Sequence, residues 1–269
     1  MTTPSLHDRK PALRLADISD EVRAALSNGL IATKNLTEWL AVDRRQLWYQ
    51  VKKELGLPDP EHVDWSPQAW GELSALKQSF LIGKWIASLS KVGDPTWAYL
   101  SNHVSDVSRE WTAIAVGYYP QLSFSKRLAW IKQFANDDNA GLREIAWLAL
   151  RRNVQEDVPT AIRALVPWTG SRSDRLRRYA SEITRPCGVW TCHIAELKQQ
   201  PQMALPILNE LNADESKYVQ NSVGNWLNDA SKSQPDWVRE VVQDWVARSD
   251  HAATRYIAKR ALRTLSKKT

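Results

Sequence analysis

Hydrophobic positions along this chain recur with helical spacing rather than in alternation. In the stretch from Leu142, the apolar residues Leu142, Ile145, Ala146, Ala149 and Leu150 fall on one face when wound at about 100° per residue. The same phase returns in Ser108-Arg109-Glu110-Trp111-Thr112, Leu176-Arg177-Arg178-Tyr179-Ala180, Val219-Gln220-Asn221-Ser222-Val223 and Thr254-Arg255-Tyr256-Ile257-Ala258. Each segment carries arginine, or once glutamine, in its second slot and a small or β-branched residue three further on. First residues at 108, 142, 176, 219 and 254 give steps of 34, 34, 43 and 35, the range of stacked HEAT-type hairpins. The pattern predicts an all-α fold, a right-handed α-solenoid of HEAT-like helical hairpins.

Helix starts and stops fill in the remainder. Ser19-Asp20-Glu21 predicts a first helix after a polar, loosely attached stretch of about 16 residues. Apolar positions predict helices over about 35–55 and 66–91, the second opened by Ser66-Pro67, with turns at 64–67 and 93–95. The first helix of each hairpin is predicted at about 124–135, 157–166, 201–212 and 235–248. Pro159, Pro201 and Pro235 sit in first turns, where a missing N–H costs nothing. The repeats divide the chain into an amino-terminal helical region, 1–100, packing on a repeat domain, 101–269.

Charge changes this picture, because all of its excess falls in the repeats. Net charge is +6 and pI about 9.3. Residues 1–100 hold 12 basic and 12 acidic side chains, which leaves 24 basic against 18 acidic afterwards. A basic stripe on a long surface fits a polyanion such as nucleic acid, although solvated helix faces give the same count. A one-repeat-per-base RNA reader is disfavoured, since no regular pair of base-reading side chains recurs. Two cysteines are too few for a disulfide framework, and no charged start followed by an apolar stretch suggests export, so a cytoplasmic protein is expected. No apolar run reaches the ~20 residues of a membrane span. Cys187 and Cys192-His193 lack a second ligand pair, so no metal is expected. No glycine loop for phosphate and no Ser/His/Asp arrangement occurs. No cofactor is expected, and the chain is read as a monomer.

Slots three and seven of the repeated helix lie together beside the core face, one turn apart. They hold Glu110 and Ile114, Glu144 and Leu148, Arg178 and Glu182, Asn221 and Asn225, and Tyr256 and Arg260. Glu182 stands where two preceding repeats carry aliphatic residues, a costly exchange unless the carboxylate is paired or used. An i,i+4 ion pair with Arg178 is the plain alternative. After it, Arg185-Pro186-Cys187-Gly188 breaks the helix, begins the 43-residue step and delivers Trp190. The amides Asn221, Asn225 and Asn228, with Lys232 after them, sit oddly in a packed helix, since asparagine is a poor helix former; phosphate contacts or bridges between repeats would each account for them. Most tryptophans, such as Trp39, Trp147, Trp226 and Trp245, have core spacing. Trp111, Trp168 and Trp190 are better placed for a site.

These segments carry a resemblance. Ser108 to Trp111, Leu142 to Glu144, Arg177 through Glu182 to Trp190, and Tyr218 to Asp229 resemble the AlkC/AlkD superfamily of HEAT-like DNA alkylation repair glycosylases, the AlkC branch most closely. The resemblance covers about residues 100–265. Residues 1–100 depart from it, and Cys187-Gly188-Val189 stands where a more basic segment belongs. It implies excision of cationic N-alkylated bases such as 3-methyladenine from duplex DNA without metal or cofactor. The cationic base is a good leaving group, so a carboxylate that stabilises an oxocarbenium-like sugar and positions water can suffice. On that basis Glu182 is expected as principal carboxylate, Glu144 as second, and Asp174 as a weaker acid. Trp190, Trp168 and Trp111 would contact substrate. Arg143, Arg177, Arg178, Arg185, Asn221, Asn225, Asn228 and Lys232 would contact DNA. The competing expectation is a non-catalytic HEAT-like scaffold that binds DNA or protein.

Overall fold

The computed structural model describes residues 6–59, 63–188 and 190–266, and among them all regular structure is helical. Two compact units emerge, one of residues 1–122 with 137–149, the other of 123–136 with 150–269. The first contains α1 (Asp20–Ser27), α2 (Leu36–Ala41), α3 (Arg44–Leu55), α4 (Pro67–Gly71), α5 (Ala75–Leu89), α6 (Pro95–Ser101) and α7 (Asp106–Tyr118). The second contains α8 (Phe124–Ala135), α10 (Val158–Thr169), α11 (Asp174–Ile183), α12 (Ala195–Gln199), α13 (Leu205–Leu208), α14 (Lys217–Ala230), α15 (Pro235–Arg248) and α16 (Ala252–Ala261). Helix α9 (Ala140–Glu156) gives residues 140–149 to the first unit and 150–156 to the second.

The hairpin pattern read from periodicity is present. In the second unit α10 packs on α11, α11 on α14 and α14 on α16, so the second helices of successive hairpins lie side by side. In the first unit α7 is flanked by α5 and α6. The crossing of α5 and α7 is close: a Cβ on Gly83 would meet Ile114 side-chain atoms at 2.6 Å and the Trp111 carbonyl at 2.9 Å. Helix α7 is buried from Asp106 to Val116 except for Arg109, which places Glu110 in the interior. A helix buried all round must satisfy its polar side chains internally.

Three long helices expected from the sequence are divided, each for a local reason. The stretch 35–55 breaks at Val42-Asp43, because the Asp43 carboxylate accepts from the N–H groups of Arg45 and Gln46 at 3.0 Å and opens α3. The stretch 66–91 breaks where Ser74 caps α5 through the Lys77 N–H. Over 201–212, Pro201 and Pro206 each withhold a donor, leaving a 3₁₀ turn at Pro201–Ala204 and the short α13. By contrast α8 and α15 coincide with their expected spans, and Ser19 caps α1 as read. The amino-terminal stretch is tied down in part: Arg9 bonds Glu38 and the Ala32 carbonyl.

Candidate functional site

The repeated second-slot cation has a visible task. Arg109 Nη1 donates to the carbonyls of His103 and Val104 at 2.7 and 2.9 Å. Arg143 Nη1 reaches those of Asp137 and Asp138 at 2.7 and 2.9 Å, and Arg177 Nη1 those of Ser171 and Arg172 at 2.9 and 3.2 Å. Gln220 Nε2 reaches Asp214 and Glu215 at 2.8 and 3.4 Å, and Arg255 Nη1 bonds the Asp250 carbonyl. In four of the five repeats the side chain folds back to carbonyls six and five residues earlier, in the turn that precedes its own helix. Those carbonyls have no helical partner, and a paired N–H donor satisfies them without needing charge, which is why glutamine can stand in the slot. Arg143 and Arg177, expected on phosphate, are thus engaged in closing turns. Arg177 also binds Asp214 through Nε and Nη2 at 2.6 and 3.0 Å.

Glu182 lies at the centre of a buried ionic cluster in the second unit. It is 3% exposed. Its Oε1 accepts from Arg185 Nη1 at 2.6 Å; its Oε2 accepts from Ser222 Oγ at 2.7 Å and lies 3.5 Å from Arg178 Nη2. Ser181 Oγ–H donates in turn to Ser222 Oγ at 2.8 Å. Arg185 carries the cluster onward to Asp229 at 2.6 and 2.9 Å, and Asp229 accepts from Lys232 at 2.8 Å. Burial pushes the Glu182 carboxyl up, but Arg178, Arg185 and Ser222 outweigh it and hold the group below the usual glutamate range. Glu182 is therefore a fixed anion at neutral pH.

Arg151 anchors the insertion that follows this cluster. Fully buried, it donates to the carbonyls of Ile183 at 2.6 Å, of Arg185, and of Cys192 at 3.5 Å, so it closes the end of α11 and both sides of the following loop. A cation at a helix C-terminus also opposes the helix dipole. Burial brings its guanidinium down to about 10, which leaves it charged. On that loop Trp190 is 65% exposed and holds φ at +63°, the only non-glycine residue among those described in the left-handed region. Such a conformation costs about 1–3 kcal/mol and tends to mark functional positions. Val189 lies outside the described residues.

The other expected site residues divide between surface and interior. Glu144 is half-buried and accepts from Trp147 Nε1–H at 2.8 Å. Trp168 is half-buried with its ring 5.0 Å from Tyr179. Trp111, expected to contact substrate, is fully buried and meets Trp48 edge-on at 6.1 Å, so it is a core residue of the first unit. Asp174 opens α11 and accepts from Ser216 Oγ at 2.6 Å, a contact between hairpins. The amides also bridge: Asn221 accepts from Tyr256 OH at 2.8 Å, Asn225 from Arg260 Nε at 3.0 Å, and Asn228 from Thr264 N and Oγ1 at 3.2 and 2.9 Å. Of the expected DNA contacts, Arg178 sits 4.4 Å from the Tyr218 ring and Lys232 is about half exposed. Cys187 and Cys192 are free thiols, and among the described residues no group of three His, Cys, Asp or Glu side chains is arranged to hold a metal. No described helix is long and apolar enough to cross a membrane.

Two buried groups escaped the sequence reading as chemistry. Glu110 is 1% exposed; it accepts from Trp39 Nε1 at 2.7 Å and from Ser79 Oγ, with Arg44 Nε at 3.8 Å. Burial raises its carboxyl to about 7 against the pull of Arg44, Ser79 and Trp39. The available signal was the largely apolar stretch that follows it in α7, Trp111 and Ala113 to Val116. Arg151 had no such signal, because its partners are backbone carbonyls more than thirty residues away.

Comparison with known proteins then adds an independent line. Residues 81–265 match the family described as DNA alkylation repair enzyme. The Bacillus subtilis (strain 168) protein YhaZ, uncharacterised, is 42% identical over 120 residues, which are 45% of this chain and 33% of YhaZ. The structure of Pseudomonas fluorescens alkylpurine DNA glycosylase AlkC, bound to DNA containing an abasic site analog, is similar with a TM-score of 0.63 at 27% identity. That likeness covers 74% of this chain and 56% of AlkC. AlkD2 from Streptococcus mutans shares the fold, with a TM-score of 0.56 at 21% identity over 81% of this chain and 97% of AlkD2. The chain spans about half the length of AlkC and one third of YhaZ.

Proposed function

This chain belongs to the DNA alkylation repair enzyme family, the AlkC/AlkD superfamily, and from that membership we propose that it is a DNA glycosylase excising cationic N-alkylated bases such as 3-methyladenine from duplex DNA. The observation that carries the proposal is the match over residues 81–265, which spans every repeated helix. Glu182 supplies a permanent negative charge that favours the oxocarbenium-like sugar as the N-glycosidic bond lengthens. Its two oxygens are already bonded by Arg185 and Ser222, so its contribution is electrostatic. Glu144, half-buried, is the second carboxylate and the better placed to accept a proton from water. Trp190, exposed at the loop, offers a face to the cationic base or sugar. The positive excess of the repeats attracts the backbone.

The test is release of free base from methylated duplex DNA, resolved by chromatography, with Glu182→Gln and Glu144→Gln in parallel. Release of a cationic base by wild type, lost in Glu182→Gln while the helical circular dichroism persists, supports both the activity and the residue. Full release by a folded Glu182→Gln protein removes Glu182 from the mechanism.

A second reading draws on one specific feature. The arginines and carboxylates of the Glu182 cluster satisfy one another, as they would in a scaffold that binds DNA without cutting it. Binding of duplex without release of any methylated base, unchanged when both Glu144 and Glu182 become glutamine, would favour that reading.

A further inference from the structure

Slots seven and ten of the last three repeats change character in order: Glu182 on α11 with Arg185 two residues past its end, Asn225 and Asn228 on α14, and Arg260 on α16 with Arg263 two residues past its end. These helices pack side by side, so the series runs across one surface of the second unit. At its α11 end acid and base are matched. At its α16 end the two arginines converge on one neutral atom: Arg260 Nε and Arg263 Nη1 donate to Asn225 Oδ1 at 3.0 and 2.8 Å. Among the described residues neither has a carboxylate oxygen within ion-pair distance, and the amide oxygen takes only one donor from each guanidinium.

The position of Arg260 is built into the helix beneath it. Gly224 lies in the interior of α14, where glycine costs about 1 kcal/mol relative to alanine. A Cβ there would sit 2.8–2.9 Å from Cβ, Cγ and Cδ of Arg260. The glycine therefore lets the arginine stem lie on the α14 backbone and fixes where its guanidinium emerges. Burial and the Arg260 cation both disfavour the charge on Arg263, with Arg185 adding to them and Asp229 opposing. Two like charges held together over a neutral acceptor, with free N–H donors, form a receptor for an oxyanion.

We propose that Arg260 and Arg263, oriented by Asn225 and Gly224, form a binding site for a phosphodiester of the nucleic-acid backbone. This assignment rests on the reading of the chain as a DNA-binding protein and adds a location to it. The slot series gives the site a direction, from the compensated Glu182 cluster to an uncompensated phosphate clamp two helices away.

The test is fluorescence anisotropy of a labelled unmodified duplex against salt concentration, with the full chain as wild type, Arg260→Gln/Arg263→Gln and Gly224→Ala. The double variant is expected to bind at least about tenfold more weakly, the loss of a charge-assisted contact, with the slope of log K against log salt reduced by about 0.9 per phosphate contact removed. Gly224→Ala keeps both charges and is expected to weaken binding with a smaller change in slope. If wild type binds duplex and the folded double variant matches it in affinity and slope, the site is overturned while the DNA-binding reading stands. If wild type binds no duplex under low salt, both fall. Folding of each variant is checked by its helical circular dichroism; if the double variant does not fold, Arg260→Lys/Arg263→Lys replaces it, with weakened binding at near-unchanged slope supporting the clamp and wild-type affinity overturning it.

Discussion

Glu110 and Glu182 are both buried glutamates on second helices of the repeat, one in each unit, and the protein treats them in opposite ways. Glu182 meets two arginines and a serine hydroxyl, and its charge is fixed. Glu110 meets two neutral donors directly, while Arg44 stands off at 3.8 Å and is itself pulled down by burial. Its carboxyl consequently titrates at about 7. The difference teaches that burial alone does not set the protonation state of a carboxylate; the number of cations close enough to bond does.

That contrast is open to direct attack. The largest expected effect comes from Glu182→Leu, which leaves the partly buried Arg178 and Arg185 without their shared anion: a loss of about 3–5 kcal/mol in urea unfolding at pH 8. Glu110→Gln at the same pH should be neutral or stabilising, because the amide is never ionised in the interior; a loss comparable with Glu182→Leu would erase the distinction. Next, pH should separate the two. A raised carboxyl stabilises the folded protein while the unfolded chain is still protonated, and that advantage disappears as pH rises from the ordinary glutamate value to about 7. The Glu110 share is ~3 kcal/mol, and Glu110→Gln should remove it from the stability–pH curve. Glu182, being depressed, contributes stability at neutral pH that is lost only as pH falls below the ordinary glutamate value and through its own lowered one. A flat difference between wild type and Glu110→Gln from pH 5 to 8 would refute the assignment.

Smaller effects sharpen the picture at the turn-closing arginines. Arg143→Ala leaves two turn carbonyls without that donor and should cost about 1–2 kcal/mol, whereas Arg143→Gln, copying the residue at 220, should cost about half as much or less. Equal losses in the two variants would mean that charge, not donor geometry, matters there. The same pair measured for duplex binding would separate a turn role from a phosphate role for Arg143.

The sequence disclosed the hairpins because periodicity is local: a stripe such as Leu142, Ile145, Ala146, Ala149 needs no knowledge of distant residues. It overran helix boundaries where a cap lay inside an apolar pattern, at Asp43 and Ser74. The column of slots three and seven was also legible, and it led to Glu182. What the amides do was not, since Asn221 and Asn225 find partners on a helix about 35 residues away. Trp111, expected at a site, is interior, as are its polar neighbours Ser108, Glu110 and Thr112. Spacing identifies a face; whether a second layer covers that face is a tertiary fact.

The turn-closing side chain has a consequence for how such an array can change. Each one grips carbonyls six and five residues, or five alone in the last, before itself, within its own turn and helix. Nothing in that grip measures the distance to the next copy. A segment can be lengthened after one helix, as the 43-residue step shows, and the following repeat still finds its register by itself. The array is punctuated rather than counted, and new loops can be written between its marks.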